Sequence, residues 1–330
     1  MKSDRCVAVG VEVGAGKTTV ALIDRHGRVR QRCEAKTLRG RPALATLEPY
    51  VRAIDTMLSV ARADGVKVLG IGVSVPGAVD PRTLRLDQVP ILPSLSSFPL
   101  GEFLSMRYHL PTQVYADVDA AVLGERYFGA GQGVQRLFFL TVNAIVGASL
   151  VVDGQLVPAE RQYIGHACHL PISNTGTGPR CSCGKRGCIN TLLSLDALQK
   201  TVQRALRRGE GTTLLERSLT RETFSLQLLA EEAQRGDAVA LQVYNEVGRW
   251  LNAAIARYID LFDPHMLILG GNILRANEFV LAGLRTSLEA NSSSRVCSMV
   301  CVVPALLGSD ASLIGTVAQL VSPVVRHGKR

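Results

Sequence analysis

Two hydrophobic patterns alternate along the chain, and each predicts a different kind of element. In the first half, continuous or alternating apolar runs predict strands at 6–13, 18–24 and 29–35. Apolar side chains that recur every three or four residues predict a helix near 43–63. The elements predicted after it are a buried strand at 67–75, a helix at 98–109, a strand at 112–116 and a helix at 119–129. This order predicts an α/β fold for the first half of the chain.

The second half repeats the same order of strands and helices. Strands are predicted at 137–142 and 147–152, followed by a hairpin turn at Asp153-Gly154 and a short strand at 155–157. The elements predicted farther on are helices at 194–208, 223–235 and 237–261, a strand at 266–269, a helix at 276–289, a strand at 296–303 and a helix at 309–321. The repetition predicts two packed α/β lobes with a cleft between them.

Composition narrows the class of protein. The chain has 330 residues, of which 47% are hydrophobic and 20% are charged, so it can bury a large core and is not a disordered chain. No apolar run approaches the roughly 18 residues of a membrane-spanning helix. The N-terminus lacks the apolar stretch and cleavage site of a secretory signal. We therefore expect a cytoplasmic protein with no membrane partner.

The chain is basic, with a net charge of +9 from 37 basic and 28 acidic residues. A basic surface can bind nucleic acid, but the basic residues here form short separate clusters at 25–32, 204–208 and 326–330. Aromatic residues make up 5% of the chain, too few for a base-stacking surface. This distribution favours a solvated surface over a nucleic-acid interface, and DNA is not an expected partner of this chain.

Four of the eight cysteines crowd into one short segment, a clustering typical of a metal site. Cys181, Cys183 and Cys188 follow one another at spacings of two and five in a glycine-rich sequence, so their thiolates can converge on one ion. His166, in a Gly-His pair upstream, can complete a tetrahedron. These four residues predict a structural zinc ion, since four protein ligands leave no position open for a catalytic water.

Two alternatives stay open for this segment. The cysteines could be free thiols in a loop, although their spacing favours a metal. Cys168 and His169 are further donors close by, so the sequence leaves alternatives to His166 as the fourth ligand.

The segment VEVGAGKTT at 11–19 is similar in composition to a phosphate-binding Walker loop. That loop requires a glycine five residues before Gly16 and a helix after the motif. Val11 occupies the first position instead, and the β-branched run at 18–23 predicts a strand, so the Walker interpretation fails on both requirements. A hairpin with glycine in its turn can still bring backbone N–H groups close to a phosphate. A plain hairpin turn is the alternative.

The Gly-His pair, the Cys-x-Cys-Gly-x2-Gly-Cys motif and the helix directly after it resemble the zinc signature of the ROK family of repressors, open reading frames and sugar kinases. Other segments are similar to the family's motifs along nearly the whole chain. They are the phosphate hairpin at 12–24, VPGAVD at 75–80, YADVDAAVLGE at 115–125 and DPHMLILGGN at 263–272. The resemblance implies two actin-like (ribonuclease H-like) lobes, with a sugar and Mg-ATP meeting in the cleft.

The resemblance also implies a domain division and an assembly. Residues 1–118 together with 306–330 would form the N-terminal lobe, and 119–305 would form the C-terminal lobe with a zinc loop at 165–190. Members of the family are commonly dimers or tetramers, so we expect a homo-oligomer.

Residue roles follow from the same motifs. The resemblance assigns sugar binding to Pro76, Gly77, Asp117 and His166. It assigns nucleotide binding to Gly14, Lys17, Gly147, Gly270 and Gly271. In an active kinase, Asp117 would be the general base that takes the proton of the sugar hydroxyl.

Several positions depart from the family pattern. On the sugar side, Ala116 replaces an asparagine, and Tyr163 and Asn190 replace glutamates that ordinarily bind sugar hydroxyls. On the nucleotide side, the hairpin has Glu12, Ala15 and Gly16 for Asp, Gly and Thr, and side chains replace most glycines of a loop at 143–148. The departures are similar to those of the family's sugar-responsive repressors, which do not phosphorylate. Those repressors carry a DNA-binding domain before the first lobe, for which the hairpin at residue 12 leaves no room.

The sequence therefore supports two hypotheses for the function of this chain. The first is a non-catalytic regulator that binds a sugar, a sugar phosphate or a partner protein, and the second is an ATP-dependent hexose or N-acetylhexosamine kinase. We favour the regulator because phosphoryl transfer depends on donors placed around the phosphates, and the departures remove them. A scaffold kept only for assembly is a third hypothesis.

Overall fold

The computed structural model describes residues 6–157, 165–173, 178–214, 224–290 and 300–322. The strands are β1 (Cys6–Val13), β2 (Lys17–Asp24), β3 (Val29–Lys36), β4 (Lys67–Val75), β5 (Ala78–Val79), β6 (Leu86–Gln88), β7 (Thr112–Ala116), β8 (Leu137–Val142), β9 (Val146–Val152), β10 (Gln155–Leu156), β11 (Met266–Gly270) and β12 (Cys301–Pro304). The helices are α1 (Ala43–Ala63), α2 (Leu100–Tyr108), α3 (Asp117–Phe128), α4 (Asn190–Leu193), α5 (Leu195–Arg207), α6 (Leu226–Gln234), α7 (Ala238–Phe262), α8 (Asn277–Ala290), α9 (Ala311–Gly315) and α10 (Ala318–Val321).

The chain divides into two compact units. The first contains 1–134, 149–163 and 305–330, and the second contains 135–148 and 164–304. The prediction placed 119–305 in the C-terminal lobe, whereas residues 149–163 belong to the first unit, and so does the whole of α3. The physical reason is close packing of α3 on α9: a Cβ on Gly315 would lie 1.6 Å from the carbonyl oxygen of Ala120.

The sheet of the first unit has the strand order β3-β2-β1-β4-β7. Strands β1, β2 and β3 form an antiparallel meander, and β4 and β7 continue the sheet in parallel with β1. Nearly every residue of β1 and β2 is buried, as their apolar sequences require, whereas β3 is largely exposed at the sheet edge. The parallel strands place the ends of β1, β4 and β7 along one edge of the sheet.

Two groups of helices cover this sheet. Helix α1 packs Leu47, Tyr50, Ile54 and Met57 into the main core. A smaller core joins Leu313, Val317 and Val321 to Ala8, Ala21 and Ile23. The single helix predicted at 309–321 is instead two short helices. Near the break, the Thr316 hydroxyl donates to the carbonyl of Leu313, a side-chain bond of the kind that competes with helical hydrogen bonding.

The second sheet has the order β10-β9-β8-β11-β12, which matches the first sheet strand for strand. The predicted repetition of the two halves is thus present in the topology. Strands β8, β11 and β12 run parallel. In the second unit, the ring of Phe138 stacks on Tyr258 and Phe262 of α7 at centroid distances of 4.7 and 5.3 Å. None of the described helices is both long enough and apolar enough to span a membrane.

Candidate functional site

The cysteine-rich segment folds into a compact loop in the second unit. An isolated antiparallel bridge pairs Arg180 with Arg186, and a second one pairs Pro171 with Cys188. The tip turns back because the N–H of Cys181 donates to the carbonyl of Lys185 at 2.8 Å. Gly187 has φ of +68°, and a Cβ there would lie 2.6 Å from Cβ of Ser173, so the close approach of these segments requires glycine.

The loop brings together four metal-ligating side chains: His169, Cys181, Cys183 and Cys188. Their donor atoms all lie within 4.8 Å of one another. The Sγ atoms of Cys183 and Cys188 are 3.6 Å apart, and Nδ1 of His169 is 3.2 Å from Sγ of Cys181. Tetrahedral zinc with Zn–S bonds of about 2.3 Å holds its sulfur ligands about 3.8 Å apart. The cluster can therefore hold a metal such as zinc.

The thiols of the cluster differ in their pKa shifts. Burial, together with hydrogen bonding to Cys183 and Cys181, raises the pKa of Cys188 to about 12. A backbone hydrogen bond from Lys185 lowers the pKa of Cys183. A divalent cation would replace the thiol protons, because metal ligation requires thiolates. Three sulfurs and one imidazole nitrogen fill a tetrahedral zinc site without an open position.

The outcome differs between the three predicted cysteine ligands and the predicted histidine ligand. The three cysteines converge as predicted. The fourth donor of the described cluster is His169, which the sequence offered as an additional donor. The backbone of His166 lies in the 3-10 turn Gly165–His169, but its side chain lies outside the described residues, so its role as ligand stays a prediction.

Carboxylates gather at the strand ends of the first unit. Glu12 of β1 is in register with Ser74 of β4, and Val75 of β4 is in register with Ala116, directly before Asp117. Pro76 and Gly77 follow β4 at the same edge. A Cβ on Gly77 would lie 2.2 Å from the carbonyl oxygen of Gln88, so packing against β6 explains this glycine without a ligand.

Both principal carboxyls have raised pKa values. Burial raises the pKa of Glu12 to about 7, and the charges of Asp117 and Asp310 add to this effect. The hydrogen bond with Ser312 and the Arg32 guanidinium oppose it. Surrounding protein raises the pKa of Asp117 to about 6 against a hydrogen bond from the N–H of Val118. The Asp117 side chain is accessible to solvent, and water counteracts part of that effect.

Asp117 can therefore act as a base near neutral pH. Even with its pKa raised toward about 6, this exposed carboxyl is largely ionised at pH 7, as a group that accepts a proton must be. The role of Asp117 as a general base stays a prediction.

The predicted phosphate hairpin is a tight β1–β2 turn. The N–H of Gly14 donates to the carbonyl of Lys17 at 3.0 Å, and the hydroxyl of Thr37 donates to the carbonyl of Gly14 at 2.8 Å. The ammonium of Lys17 forms an ion pair with Glu34 at 2.5 Å on the surface. The hairpin is thus held by contacts within the chain.

In the second unit, backbone N–H groups in and near the loop at 143–148 are also hydrogen-bonded within the chain. Oδ1 of Asn190 accepts from the N–H of Val146 at 3.0 Å, and Oδ1 of Asn143 accepts from the N–H of Asn272 at 2.7 Å. Gly271, directly before Asn272, has φ of +95°, and a Cβ there would lie 2.4 Å from the carbonyl oxygen of Val142. The two asparagine side chains bind backbone donors beside the predicted nucleotide glycines Gly147, Gly270 and Gly271.

Comparison with known proteins decides the family. The model of the ROK family matches residues 8–322. The chain belongs to the ROK family. A glucokinase of Thermotoga maritima is 27% identical over 93% of this chain and 95% of its own length. The DNA-binding transcriptional dual regulator NagC of Escherichia coli is 25% identical over 86% of this chain and 68% of its own length. This ROK chain is thus similar to both kinases and regulators.

Solved structures give the fold. A ROK family transcriptional regulator, a homologue of the E. coli MLC protein, aligns with a TM-score of 0.85 and 25% identity over 96% of this chain and 78% of that one. A Streptomyces griseus ROK glucokinase in complex with glucose and AMPPNP aligns with a TM-score of 0.77 and 26% identity over 95% and 98%. The predicted actin-like, ribonuclease H-like fold is confirmed.

Sequence reasoning missed the contacts of the two asparagines. It treated Asn190 as a lost sugar ligand and Asn143 as a lost glycine-loop residue, and it assigned no hydrogen bond to either. The residues they bind are 44 and 129 positions away, so no local pattern could have revealed these bonds. Tyr163 lies outside the described residues, so its predicted effect on the sugar site stays a prediction.

Proposed function

We propose that this ROK protein is a non-catalytic regulator that binds a sugar, a sugar phosphate or a partner protein and does not phosphorylate a sugar. The observation that carries the proposal is the internal pairing of backbone donors around the predicted nucleotide loop. The N–H groups of Val146 and Asn272 donate to side chains of this chain at 3.0 and 2.7 Å.

The energetic reason lies in how phosphoryl transfer is catalysed. The protein mainly positions the phosphates and neutralises their charge, through donors that are open to the nucleotide. A donor that is already paired must first give up its partner, and leaving a buried polar group unpaired costs about 1–3 kcal/mol. This penalty applies to the partly buried bond of Val146, whereas the bond of Asn272 and the Lys17–Glu34 ion pair are exposed, and an exposed ion pair contributes about 1 kcal/mol or less. Together these contacts argue against tight binding of Mg-ATP.

The alternative is an ATP-dependent hexose or N-acetylhexosamine kinase, and two observations favour it. Asp117 stands at the carboxyl edge of the first sheet, directly after β7, and its exposed carboxyl is ionised at pH 7, which suits a general base. Relatives that align over nearly their full length are glucokinases. In this alternative, His166, Pro76 and Gly77 would contribute to the sugar site as the family motifs imply.

A coupled ADP-release assay tests the two functions against each other. Glucose, mannose, N-acetylglucosamine and N-acetylmannosamine would each be supplied with Mg-ATP. The regulator hypothesis predicts no ADP release above the no-sugar control. A turnover on the order of 1–100 per second with any of these sugars would overturn it. In that case Asp117→Asn should abolish turnover, because an amide cannot accept the hydroxyl proton.

A binding screen completes the test. Ligands that bind the folded state raise the midpoint of thermal unfolding, whether or not turnover occurs. The regulator hypothesis predicts that a sugar or sugar phosphate raises it in the absence of ATP. If no such compound binds and no turnover is observed, the small-molecule form of the hypothesis fails.

A further inference from the structure

A groove runs along α5 in the second unit, beside the metal cluster, with a volume of about 540 Å³. This size lies within the range of small-molecule sites, about 300–1,000 Å³. We call it the α5 groove. It is lined by Pro179, Arg180, Asn190, Thr191, Ser194, Asp196, Ala197, Lys200, Gln203, Arg204 and Arg207.

The α5 groove is lined by an excess of basic residues. Four of the residues that line it are basic and one, Asp196, is acidic. Lys200, Arg204 and Arg207 stand four and three positions apart, so they share one face of the helix. Arg180 comes from the cysteine-rich loop on the other side. Two separate segments therefore supply cations to one concavity.

An ordinary structural role explains only part of this arrangement. Cations in the last turn of a helix offset the partial negative charge of its C-terminus, and Arg204 and Arg207 lie in the last turn of α5. Lys200 lies earlier in the helix, and Arg180 is not on α5. The guanidinium of Arg204 is held in place, because Nη2 donates to the hydroxyl of Thr201 at 2.8 Å and Nε donates to the carbonyl of Lys200 at 3.3 Å. These two bonds fix the position of the Arg204 side chain and use two of the five N–H donors of its guanidinium, so the other three can still reach a ligand.

The spacing of the cations indicates the class of ligand. Lys200 and Arg207 are seven residues apart, or about 10 Å along the helix at 1.5 Å per residue. A single phosphate could contact both ends of this row only if both side chains bent toward it, whereas an anion with two phosphate groups can contact them where they stand. Thr191, Gln203 and the amide nitrogen of Asn190 supply uncharged polar groups for the part between the phosphates.

We propose that the α5 groove binds a small anion that carries two or more phosphate groups, either a sugar bisphosphate or a short polyphosphate chain. This site goes beyond the proposed function, because it requires neither phosphoryl transfer nor binding at the strand ends of the first unit. Arginine and lysine side chains bind phosphate through charge-assisted hydrogen bonds, with arginine able to form two at once.

Isothermal titration calorimetry on the zinc-loaded full chain at about 0.15 M ionic strength tests the site. The probes are fructose 1,6-bisphosphate, tripolyphosphate and orthophosphate. Zinc content is measured before and after each titration, since polyphosphate also binds metals. At least one of the first two probes is expected to bind with a Kd below about 100 µM, and orthophosphate at least tenfold more weakly. The tighter of the two identifies the source of the phosphate groups.

Substitutions in the lining residues test whether the probes bind in the α5 groove. Lys200→Gln combined with Arg204→Gln is expected to weaken binding at least tenfold, and Arg180→Gln alone at least threefold. Glutamine is a good helix former, and the replaced side chains are exposed, so folding should be unaffected. Arg208→Gln is the matched control, because Arg208 follows α5 but pairs with Glu210 at 2.7 Å and does not line the groove. It should change the Kd less than twofold.

Three results would overturn the proposal. They are the absence of saturable binding, equal binding of orthophosphate, and an equal loss in the Arg208→Gln control. A single-stranded oligonucleotide that binds more tightly than either probe, and loses affinity in the Lys200→Gln, Arg204→Gln variant, would also overturn it. That last result would assign the surface to nucleic acid.

Discussion

Removing zinc should destabilise the second unit measurably, and the size of the effect can be worked out. His169 ends the 3-10 turn whose Ala167 carbonyl accepts a hydrogen bond from the hydroxyl of Tyr258 at 2.8 Å. Tyr258 stacks in the aromatic core on Phe138. A metal bound to His169 and the three cysteines would therefore tie the loop to the core of the unit.

Mass action gives the expected magnitude. Free zinc at a hundred times its Kd stabilises the folded state by about 2.7 kcal/mol. A domain of roughly 150–250 residues changes its Tm by about 2–4 °C per kcal/mol. Stripping the metal with a chelator should therefore lower the Tm by about 5–11 °C, and adding zinc back should restore it.

Elemental analysis of protein purified without chelator, with thermal unfolding in parallel, provides the measurement. One zinc per chain is expected. The described cluster predicts that His169→Ala loses most of this zinc, and the sequence motif predicts the same of His166→Ala. His265→Ala is a matched control, since His265 is an exposed histidine of the same unit outside the cluster. A metal content near zero in the wild type would refute the zinc site. Full retention in His169→Ala with loss in His166→Ala would leave the site intact and change its fourth ligand.

Two further predictions concern the first unit. The pKa of Glu12 is about 7 in the folded chain against 4.5 for an ordinary glutamate, so the folded state binds more protons and stability should fall as pH rises through this range. Glu12→Gln should therefore raise the Tm at pH 8 and leave it nearly unchanged at pH 4, and an unchanged Tm at both values would contradict the pKa. Gly315→Ala should cost about 3 kcal/mol in denaturant unfolding, because its Cβ would lie 1.6 Å from the Ala120 carbonyl oxygen. Gly16→Ala, with no atom within 4 Å of its Cβ, should cost less than about 0.5 kcal/mol, and equal costs would show that close packing at Gly315 is unimportant.

The sequence predicted those parts of the fold that local patterns determine. The periodicity of α1 gave its bounds of 43–63 as observed. Helix α3 begins at Asp117, two residues before the predicted start, because β7 ends at Ala116 and the chain turns directly into the helix. The last helix was wrong as a single element, since its continuity depends on how Thr316 bonds and not on the apolar period.

The residues of the candidate sites were likewise predicted only where they form a local sequence pattern. Spacing alone found the three cysteines, because ligands close in sequence leave a local pattern. Spacing could not choose between His166 and His169, which lie three residues apart before the same loop. The basic residues of α5 were also visible as a cluster, but the sequence favoured a solvated surface. Recognising the α5 groove required the position of Arg180 against the helix, which is a tertiary property.

Asn190 bears on two departures from the family pattern that are separate in the sequence, one on the sugar side and one on the nucleotide side. In the family pattern, this position is a glutamate whose carboxylate would accept hydrogen bonds from sugar hydroxyls, and the amide of Asn190 replaces it. Its Oδ1 also accepts from the N–H of Val146, in the loop where the family places bare backbone against phosphate. If the family pattern applies, this one substitution would alter the sugar side and also occupy a donor on the nucleotide side. Restoring the glutamate alone would leave Asn143 bound to the N–H of Asn272. If the regulator hypothesis holds, Asn190→Glu alone should therefore give no ADP release with any of the four sugars, and recovery of phosphoryl transfer would also require changes in the loop at 143–148.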